Sequence, residues 1–268
     1  MTLTAHFWRD SHLPYVESRR ACDSRINYKI HSHPTLSIGA VDCGLSVFSG
    51  AAEGPMLIQA GSVVWVPADC VHACNPAPDS AWSYQMLHLD ADWVQRLRQE
   101  SHPDAGASQQ VRLSNDRGLY QRFCQLNDQL FSTAHWQDKE AALIEFITDF
   151  PSQNQPAISP AADPARASAG VRQVMACLQR DPQALHPLEQ LAQQARLSRY
   201  QLIRAFRTAT GMTPHAYQLN LRIIQARVSL LAGEAPAALA QRLGFADQAH
   251  FQRVFKAHVG ITPGRYKG

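Results

Sequence analysis

Residues Leu188–Pro214 read LEQLAQQARLSRYQLIRAFRTATGMTP, and residues Ala235–Pro263 read APAALAQRLGFADQAHFQRVFKAHVGITP. The two stretches are copies of one pattern. Leu191 and Ala192 align with Leu239 and Ala240 at an offset of 48. Leu202, Arg204, Phe206, Gly211, Thr213 and Pro214 align with Phe251, Arg253, Phe255, Gly260, Thr262 and Pro263 at 49, so one extra residue sits between the helices of the second copy. A repeat on this scale means one supersecondary unit used twice.

Each copy reads as a helix-turn-helix. Ala192 and Ala240 stand mid-helix, where a small side chain lets the following helix cross closely, and Gly244 supplies the backbone freedom a tight turn needs. Ser198 and Asp247 are N-cap residues for the second helices, because a short side-chain oxygen can accept from an unpaired amide of the first turn. Leu202 with Phe206, and Phe251 with Phe255, recur at i, i+4 and define the buried face. The remaining face carries Arg199, Tyr200, Ile203, Arg204 and Arg207 in the first copy, and Gln248, Ala249, His250, Gln252, Arg253 and Lys256 in the second. Arg, Gln and His at the exposed start of a helix suit base edges and phosphates. Arg204 and Arg253 are the expected base or close phosphate contacts, while Arg207 and Lys256 lie later and suit phosphates. The plainer alternative is a helical bundle whose arginines only keep it soluble. Two units with matching polar faces argue against it.

The segment Gly244-Phe245-Ala246-Asp247-Gln248, followed by Phe251-x-Arg253-x-Phe255-Lys256 and Gly260-Ile261-Thr262-Pro263-x-x-Tyr266, resembles the signature of the AraC/XylS family of bacterial transcription regulators. The resemblance covers about the last hundred residues. It implies two helix-turn-helix units joined by a long helix, each placing one recognition helix in the major groove of double-stranded DNA about one turn apart. Thr213-Pro214 would start that linker helix, with Pro at its first position, and it would run through Tyr217, Leu221, Ile224, Val228 and Leu231 to Gly233. Family membership also implies RNA polymerase as a partner, activation more often than repression, and a homodimer.

At 268 residues the chain has room for two domains. Its net charge of +3 hides an asymmetry. Residues 170–268 hold 13 Lys and Arg against 4 Asp and Glu, whereas residues 1–169 hold 12 against 18. A basic C-terminal half on an acidic N-terminal half fits a nucleic-acid binder with a separate control module. The opening MTLTAHFWRDSHLPY lacks a charged segment followed by an apolar core, and no run approaches the ~20 apolar residues of a membrane span, so a cytoplasmic protein without a membrane segment is expected. Cysteines at 22, 43, 70, 74, 124 and 177 are too dispersed for a disulfide framework and read as free, buried thiols.

From Asp23 to about Leu89 the chain is strand-like. Leu36-Ser37-Ile38-Gly39, Leu45-Ser46-Val47-Phe48 and Val63-Val64-Trp65-Val66-Pro67 are short apolar runs set between turn residues. An antiparallel barrel or sandwich accommodates so many short strands. His31-Ser32-His33 followed by Gly39, and Gly61-x5-Pro67-x-Asp69-x2-His72-x2-Asn75, resemble the two motifs of the cupin superfamily. That pattern brings imidazoles together at a barrel mouth, where His31, His33 and His72 could hold a divalent metal. The Glu usual a few residues after the His pair is missing, Ser37 and Ile38 standing there instead, and Asp69 replaces a usual Gly. Three readings stay open: a metal site, a small-molecule pocket lined by His31, His33, Trp65 and His72, and imidazoles that satisfy strand-end carbonyls. Cys70, His72 and Cys74 form a C-x-H-x-C run whose members would share one strand face, which is the pattern of a metal or redox sensor. A cupin metalloenzyme is the rival class, although no catalytic residues can be named. Trp82 and Tyr84 read as packing.

Leu119, Phe123, Leu126 and Leu130, then Trp136, Leu143, Ile144, Ile147 and Phe150, mark two antiparallel helices around a break at Ser132-Thr133-Ala134. Such a stripe covers the barrel or, by family resemblance, forms a dimer interface. Residues Pro151–Ser168, PSQNQPAISPAADPARAS, read as a linker. The expected layout is therefore multidomain α+β. A cupin-like effector-binding and dimerisation domain occupies 1–150, a linker 151–168, and an all-α double helix-turn-helix domain 169–268. The expected function is a non-enzymatic, sequence-specific transcription regulator, an activator governed by a small molecule, with no cofactor beyond a possible divalent metal.

Overall fold

The structure is a computed structural model and describes residues 5–101, 110–149 and 156–267. The chain divides into two compact units. One comprises Met1–Ile26, His33–Cys70 and Cys74–Pro160, and the other Asn27–Ser32, Val71–Ala73 and Ala161–Gly268.

The first unit contains strands β1 (Ala5–Trp8), β2 (Val16–Ser24), β3 (Thr35–Cys43), β4 (Leu45–Ser49), β5 (Met56–Gln59), β6 (Val63–Val66), β7 (Ala73–Pro76) and β8 (Trp82–Asp90), then helix α1 (Ala91–Ser101), strand β9 (Val111–Ser114), helices α2 (Arg117–Phe131) and α3 (Trp136–Thr148), and a short strand β10 (Ala157–Ile158). A seven-stranded sheet runs β1-β2-β8-β3-β6-β9-β10 and a three-stranded sheet β5-β4-β7, with antiparallel pairing between neighbours. The central strands of the large sheet are buried on both faces, and the period-2 alternation of a strand divides their side chains between two cores. Leu36, Ile38 and Ala40 of β3, Val63 and Trp65 of β6, and Leu87 and Leu89 of β8 pack with Leu119, Phe123, Leu126, Leu130, Leu143, Phe146 and Ile147 of the helices. The alternate residues Val41, Val64, Val66, Trp82 and Tyr84 pack with Phe48 and Ile58 of the small sheet. The unit is thus three layers: small sheet, large sheet, helices.

Helix α1 was not foreseen. Its start is fixed locally, because Asp90 Oδ1 accepts from Trp93 N at 2.8 Å. The helical pair falls where the periodicity put it, with Phe146 joining the buried stripe and Ile144 only half-buried; Phe150 lies outside the described residues. Asn127 is fully buried on α2 yet satisfied: its Oδ1 accepts from Ser18 Oγ at 2.6 Å and its Nδ2 donates to the Phe123 carbonyl at 3.0 Å. The stretch read as a plain linker carries structure where it is described, since Ala157 and Ile158 pair with Arg112 and Val111 and Ile158 is buried. Its prolines hid a strand that exists only because β9 offers an edge.

The helical unit holds α4 (Ala169–Arg180), α5 (Leu188–Gln194), α6 (Arg199–Thr210), α7 (Pro214–Leu231), α8 (Pro236–Arg242), α9 (Gln248–Val259) and α10 (Pro263–Lys267). Val171, Val174 and Leu178 of α4 pack on Leu191, Ala192, Leu202, Phe206 and Tyr217. In the second copy Phe251 lies 5.6 Å from Phe255 ring to ring, and Phe255 5.5 Å from Tyr266. Helix α7 starts as expected, its N-cap Thr213 Oγ1 accepting from Ala216 N at 3.2 Å with Pro214 at the first position. None of the described helices is long and apolar enough to cross a membrane.

Candidate nucleic-acid interface and effector site

The two helix-turn-helix units use the same physics with different residues. In the first, Ser198 and Gln201 form a reciprocal capping box: Gln201 N donates to Ser198 Oγ at 3.2 Å and Ser198 N to Gln201 Oε1 at 2.9 Å. In the second, Asp247 Oδ1 accepts from His250 N at 2.6 Å. The turns differ where the alignment slips by one residue. Arg196 adopts φ +55° in the first and Gly244 φ +71° in the second, so the left-handed step is taken by a residue with a Cβ in one copy and without one in the other. Both recognition helices end on a left-handed glycine, Gly211 and Gly260. Ser198→Ala should lower the stability of the helical unit by about 0.5–2 kcal/mol. Thermal unfolding checks this, and an unchanged midpoint would show the box to be dispensable.

Leu202, Phe206, Phe251 and Phe255 are fully buried, as their i, i+4 spacing requires. The opposite faces lie open. Arg199, Tyr200, Arg204 and Arg207 are exposed on α6 with Ile203 half-buried, and Gln248, Ala249, Gln252, Arg253 and Lys256 are exposed on α9 with His250 half-buried. Tyr200, 68 % exposed, carries the Arg204 guanidinium 5.7 Å from its ring centre, so the two side chains present one cationic, aromatic surface. His250 is partly committed: its Nδ1 accepts from Ala246 N at 3.4 Å and its ring stands edge-on to Phe245. Only Nε2 is then turned toward a partner.

In the sheet unit, His33 is buried and hydrogen-bonded within β3. Its Nδ1 donates to the Thr35 carbonyl at 2.9 Å, and its Nε2 faces Ser37 Oγ at 3.2 Å. Ser37 Oγ also lies 2.6 Å from His88 Nδ1, and the two imidazoles meet edge to face at 5.2 Å. Ser37 and His88 are cross-strand partners, and one row along Arg19 opposes Met86, which opposes Gly39. Arg19 is 7 % exposed, its guanidinium 5.3 Å from the Phe7 ring centre and 5.5 Å from that of Tyr84. The large-sheet face that looks toward the small sheet therefore carries His33, Ser37, His88 and Arg19 in otherwise apolar surroundings. Sequence reading found only the first of these, because the partners of Ser37 come from a strand 51 residues on. Trp65 does not belong to this set. It shares parity with Val63 and packs toward the helices.

His31 and His72 come together in the other unit as an isolated antiparallel bridge, exchanging backbone bonds of 3.0 and 2.9 Å. Their rings are 4.8 Å apart, and His31 Nδ1 donates to the Lys29 carbonyl at 2.7 Å. Burial first, and then the neighbouring His72, hold His31 well below its ordinary value of 6.5. The C-x-H-x-C run is not one strand, since β7 begins only at Ala73. Burial pushes the Cys70 thiol up to about 11 and the Cys74 thiol to about 12, which opposes the thiolate that metal binding and oxidation both need. All six cysteines are free, and Cys22 and Cys43 are exposed where buried thiols were expected.

His258, on α9, gives a pH dependence with a definite sign. Burial first, and then the Lys29 charge, depress it below 6.5, against a bond from its Nδ1 to the Val254 carbonyl at 2.8 Å that pulls the other way. Unfolding frees the ring to take a proton the folded state resists, so stability present above pH 6.5 is lost as pH falls below it. Melting temperature should drop from pH 7.5 to 5.5, and His258→Gln should flatten that drop; equal slopes in both proteins would refute the assignment.

These features define a two-unit protein, an antiparallel sheet domain with a polar inner face followed by paired helix-turn-helix units. Residues 13–147 match the AraC-like ligand binding domain and residues 191–268 a helix-turn-helix domain. The chain belongs to the AraC family. Among relatives, the MmsAB operon regulatory protein of Pseudomonas aeruginosa is 22 % identical over 254 residues, 93 % of this chain and 80 % of that one. The transcriptional activator RhaR of Enterobacter sp. is 38 % identical over 81 residues, and the transcriptional regulator MtrA of Neisseria gonorrhoeae 30 % over 83. Those two matches each span 30 % of this chain and only 29 % and 27 % of the relatives' own lengths. An apo ToxT structure from Vibrio cholerae superposes with a TM-score of 0.59 at 16 % identity, over 94 % of this chain and 97 % of that one. ToxT with an unsaturated fatty acid bound gives 0.54 at 16 % identity, over 99 % and 94 %. At that identity the likeness is one of fold.

Proposed function

We propose that this chain is a sequence-specific, DNA-binding transcription regulator whose activity is set by a small molecule held in the N-terminal sheet unit. The observation that carries the reading is the pair of capped, exposed recognition helices, each with an arginine at the same place in the repeat, on a unit with a surplus of basic over acidic residues. Helix α7 joins them with 18 residues, about 27 Å of rise, against the ~34 Å turn of a duplex. In this reading Arg199, Tyr200, Ile203 and Arg204 meet one major-groove segment and Gln248, Ala249, His250, Gln252 and Arg253 the next. Arg207 and Lys256 hold phosphates. Selection from a random duplex library tests it directly; recovery of no shared sequence, with affinity independent of sequence, would defeat it.

The effector reading rests on His33, Ser37, His88 and Arg19. A buried guanidinium beside a hydroxyl and two imidazoles, among aromatic walls, favours a small molecule with an anionic group and an apolar body. Such a ligand shifts the regulator only by its differential affinity for competent and incompetent states. Stabilisation that grows with ligand concentration in a thermal-shift screen checks it. The regulator works as a homodimer that engages RNA polymerase as an activator, in the cytoplasm; the relatives named above as regulators favour regulation over enzymatic catalysis.

A second reading has one specific support. His31 and His33 each donate Nδ1–H to a backbone carbonyl, which makes Nε2 the lone-pair nitrogen, the arrangement common in metal-ligating histidines. A divalent metal on His31, His33 and His72 would follow. Zinc titration of the apo protein, with His72→Ala as control, distinguishes it from an organic effector alone.

A further inference from the structure

Arg222 is the ninth residue of α7 and is 7 % exposed, yet no carboxylate is among its hydrogen-bond partners. Its guanidinium is surrounded by carbonyls instead. Nε donates to Pro182 O at 2.6 Å, Nη1 to Gly244 O at 2.6 Å, and Nη2 to Gln183 O at 3.2 Å and Ala184 O at 3.3 Å. The Phe245 ring lies 5.7 Å from its Cζ. The acceptors come from two places far apart in the chain. Residues 182–184 form the turn that leads into the first helix-turn-helix, and Gly244 is the turn inside the second. One planar fork therefore fastens the approach to one recognition unit and the bend of the other to the helix that joins them.

The two attachments are unequal. The 182–184 turn is fastened to α7 three times: Gln218 Nε2 donates to Pro182 O at 2.8 Å and to Ala184 O at 2.7 Å, Gln183 Nε2 donates to Gln225 Oε1 at 3.1 Å, and Arg222 adds its own bonds. The Gly244 turn is reached from this stretch of α7 by Arg222. The two turns also approach backbone to backbone, since a Cβ on Gly244 would fall 2.4 Å from Gln183 O and 3.2 Å from Arg222 Nη2. Burying an arginine among neutral carbonyls has little to recommend it as stabilisation, because a well-packed hydrocarbon does as well or better without the desolvation cost. What the fork does supply is geometry: several donors in one rigid plane place their acceptors to within hydrogen-bond tolerance.

We propose that Arg222 is a positioning residue that sets the offset between the two reading heads, and so determines which spacing of half-sites the protein accepts. The inference rests on the DNA-binding reading above. Without the fork, each head stays folded around its own phenylalanines and leucines, but the second head is held to α7 less firmly. Binding of the second head is then less pre-organised, so its effective concentration at its half-site falls while the affinity of each head for its own half-site stays the same.

The test uses the full chain and a duplex selected from a random library by the wild-type protein. Affinity is measured on that duplex, on one with a base pair inserted between the half-sites, and on one with the second half-site scrambled. Arg222→Met should weaken the selected duplex about tenfold, lose most of the wild-type preference for it over the insertion duplex, and change the scrambled duplex by less than about twofold. Arg222→Lys, which keeps a single point donor, should show the same pattern at reduced size. An insertion penalty equal to that of the wild type, or equal weakening on all three duplexes, would overturn the proposal. So would failure of both variants to fold by circular dichroism, since the residue would then be a requirement of folding. Failure of the wild type to enrich any duplex is a different result, which removes the DNA-binding reading and this inference with it.

Discussion

Phe255→Ala should lower the stability of the helical unit by about 3–5 kcal/mol, the range for removing a large aromatic side chain from a closed core. Phe255 is fully buried, and its ring lies 5.6 Å from Phe251 and 5.5 Å from Tyr266. Truncation leaves a cavity that α9 cannot close without losing its seat against α10. A loss of that size is a large part of the 5–15 kcal/mol that holds an ordinary domain together, so DNA binding should vanish at growth temperature and return on cooling if unfolding is reversible. Differential scanning calorimetry reads it. The sheet unit should keep its own transition, and a shift of less than about 1 kcal/mol in the helical unit's stability would mean that this core is not what holds α9.

Arg253→Ala should weaken specific DNA binding by about 1–3 kcal/mol and relax the sequence preference at one base pair. The side chain is exposed on α9, on the face opposite the buried Phe251 and Phe255, so the fold has no use for it. Lys256→Ala is the contrasting case. Placed later on the same helix, it should weaken all sequences alike and lower the salt slope by about one. Competition assays on single-base variants of the selected duplex, at two salt concentrations, separate a base reader from a phosphate clamp. Unchanged selectivity in the Arg253 variant would remove it from the list of base-reading residues.

What could be read in advance was local. The duplicated helices announce themselves through spacing and caps: Ser198, Asp247, Gly211, Gly260 and the Thr213-Pro214 start are signals contained within a few residues, and each is found in the role its chemistry dictates. Gly244 was legible as a turn residue, but its second constraint, a carbonyl from Gln183 lying where a Cβ would be, was not. The same distinction runs through the sheet unit. The β3 and β6 runs are visible as apolar segments, whereas the order β1-β2-β8-β3-β6-β9-β10 depends on pairings between distant residues that no window contains. His88 and Arg19 went unnoticed for that reason; alone in the sequence they are a histidine and an arginine, and only the register with Ser37 and Met86 sets them side by side. Arg222 reads in sequence as one more positive charge on a basic domain, and it is the cage of carbonyls around it that makes it unlike the others.

The strands with two buried faces lead to a last point about signalling. His88 faces the polar set of the sheet unit, and its immediate neighbours Leu87 and Leu89 are both fully buried against the helical pair. Backbone connectivity leaves no slack between them. Whatever displaces the imidazole on one side must be felt by two leucines on the other, so occupancy of the inner face can be transmitted to α2 and α3 through the thickness of a single β-ribbon, with no lid or joint required.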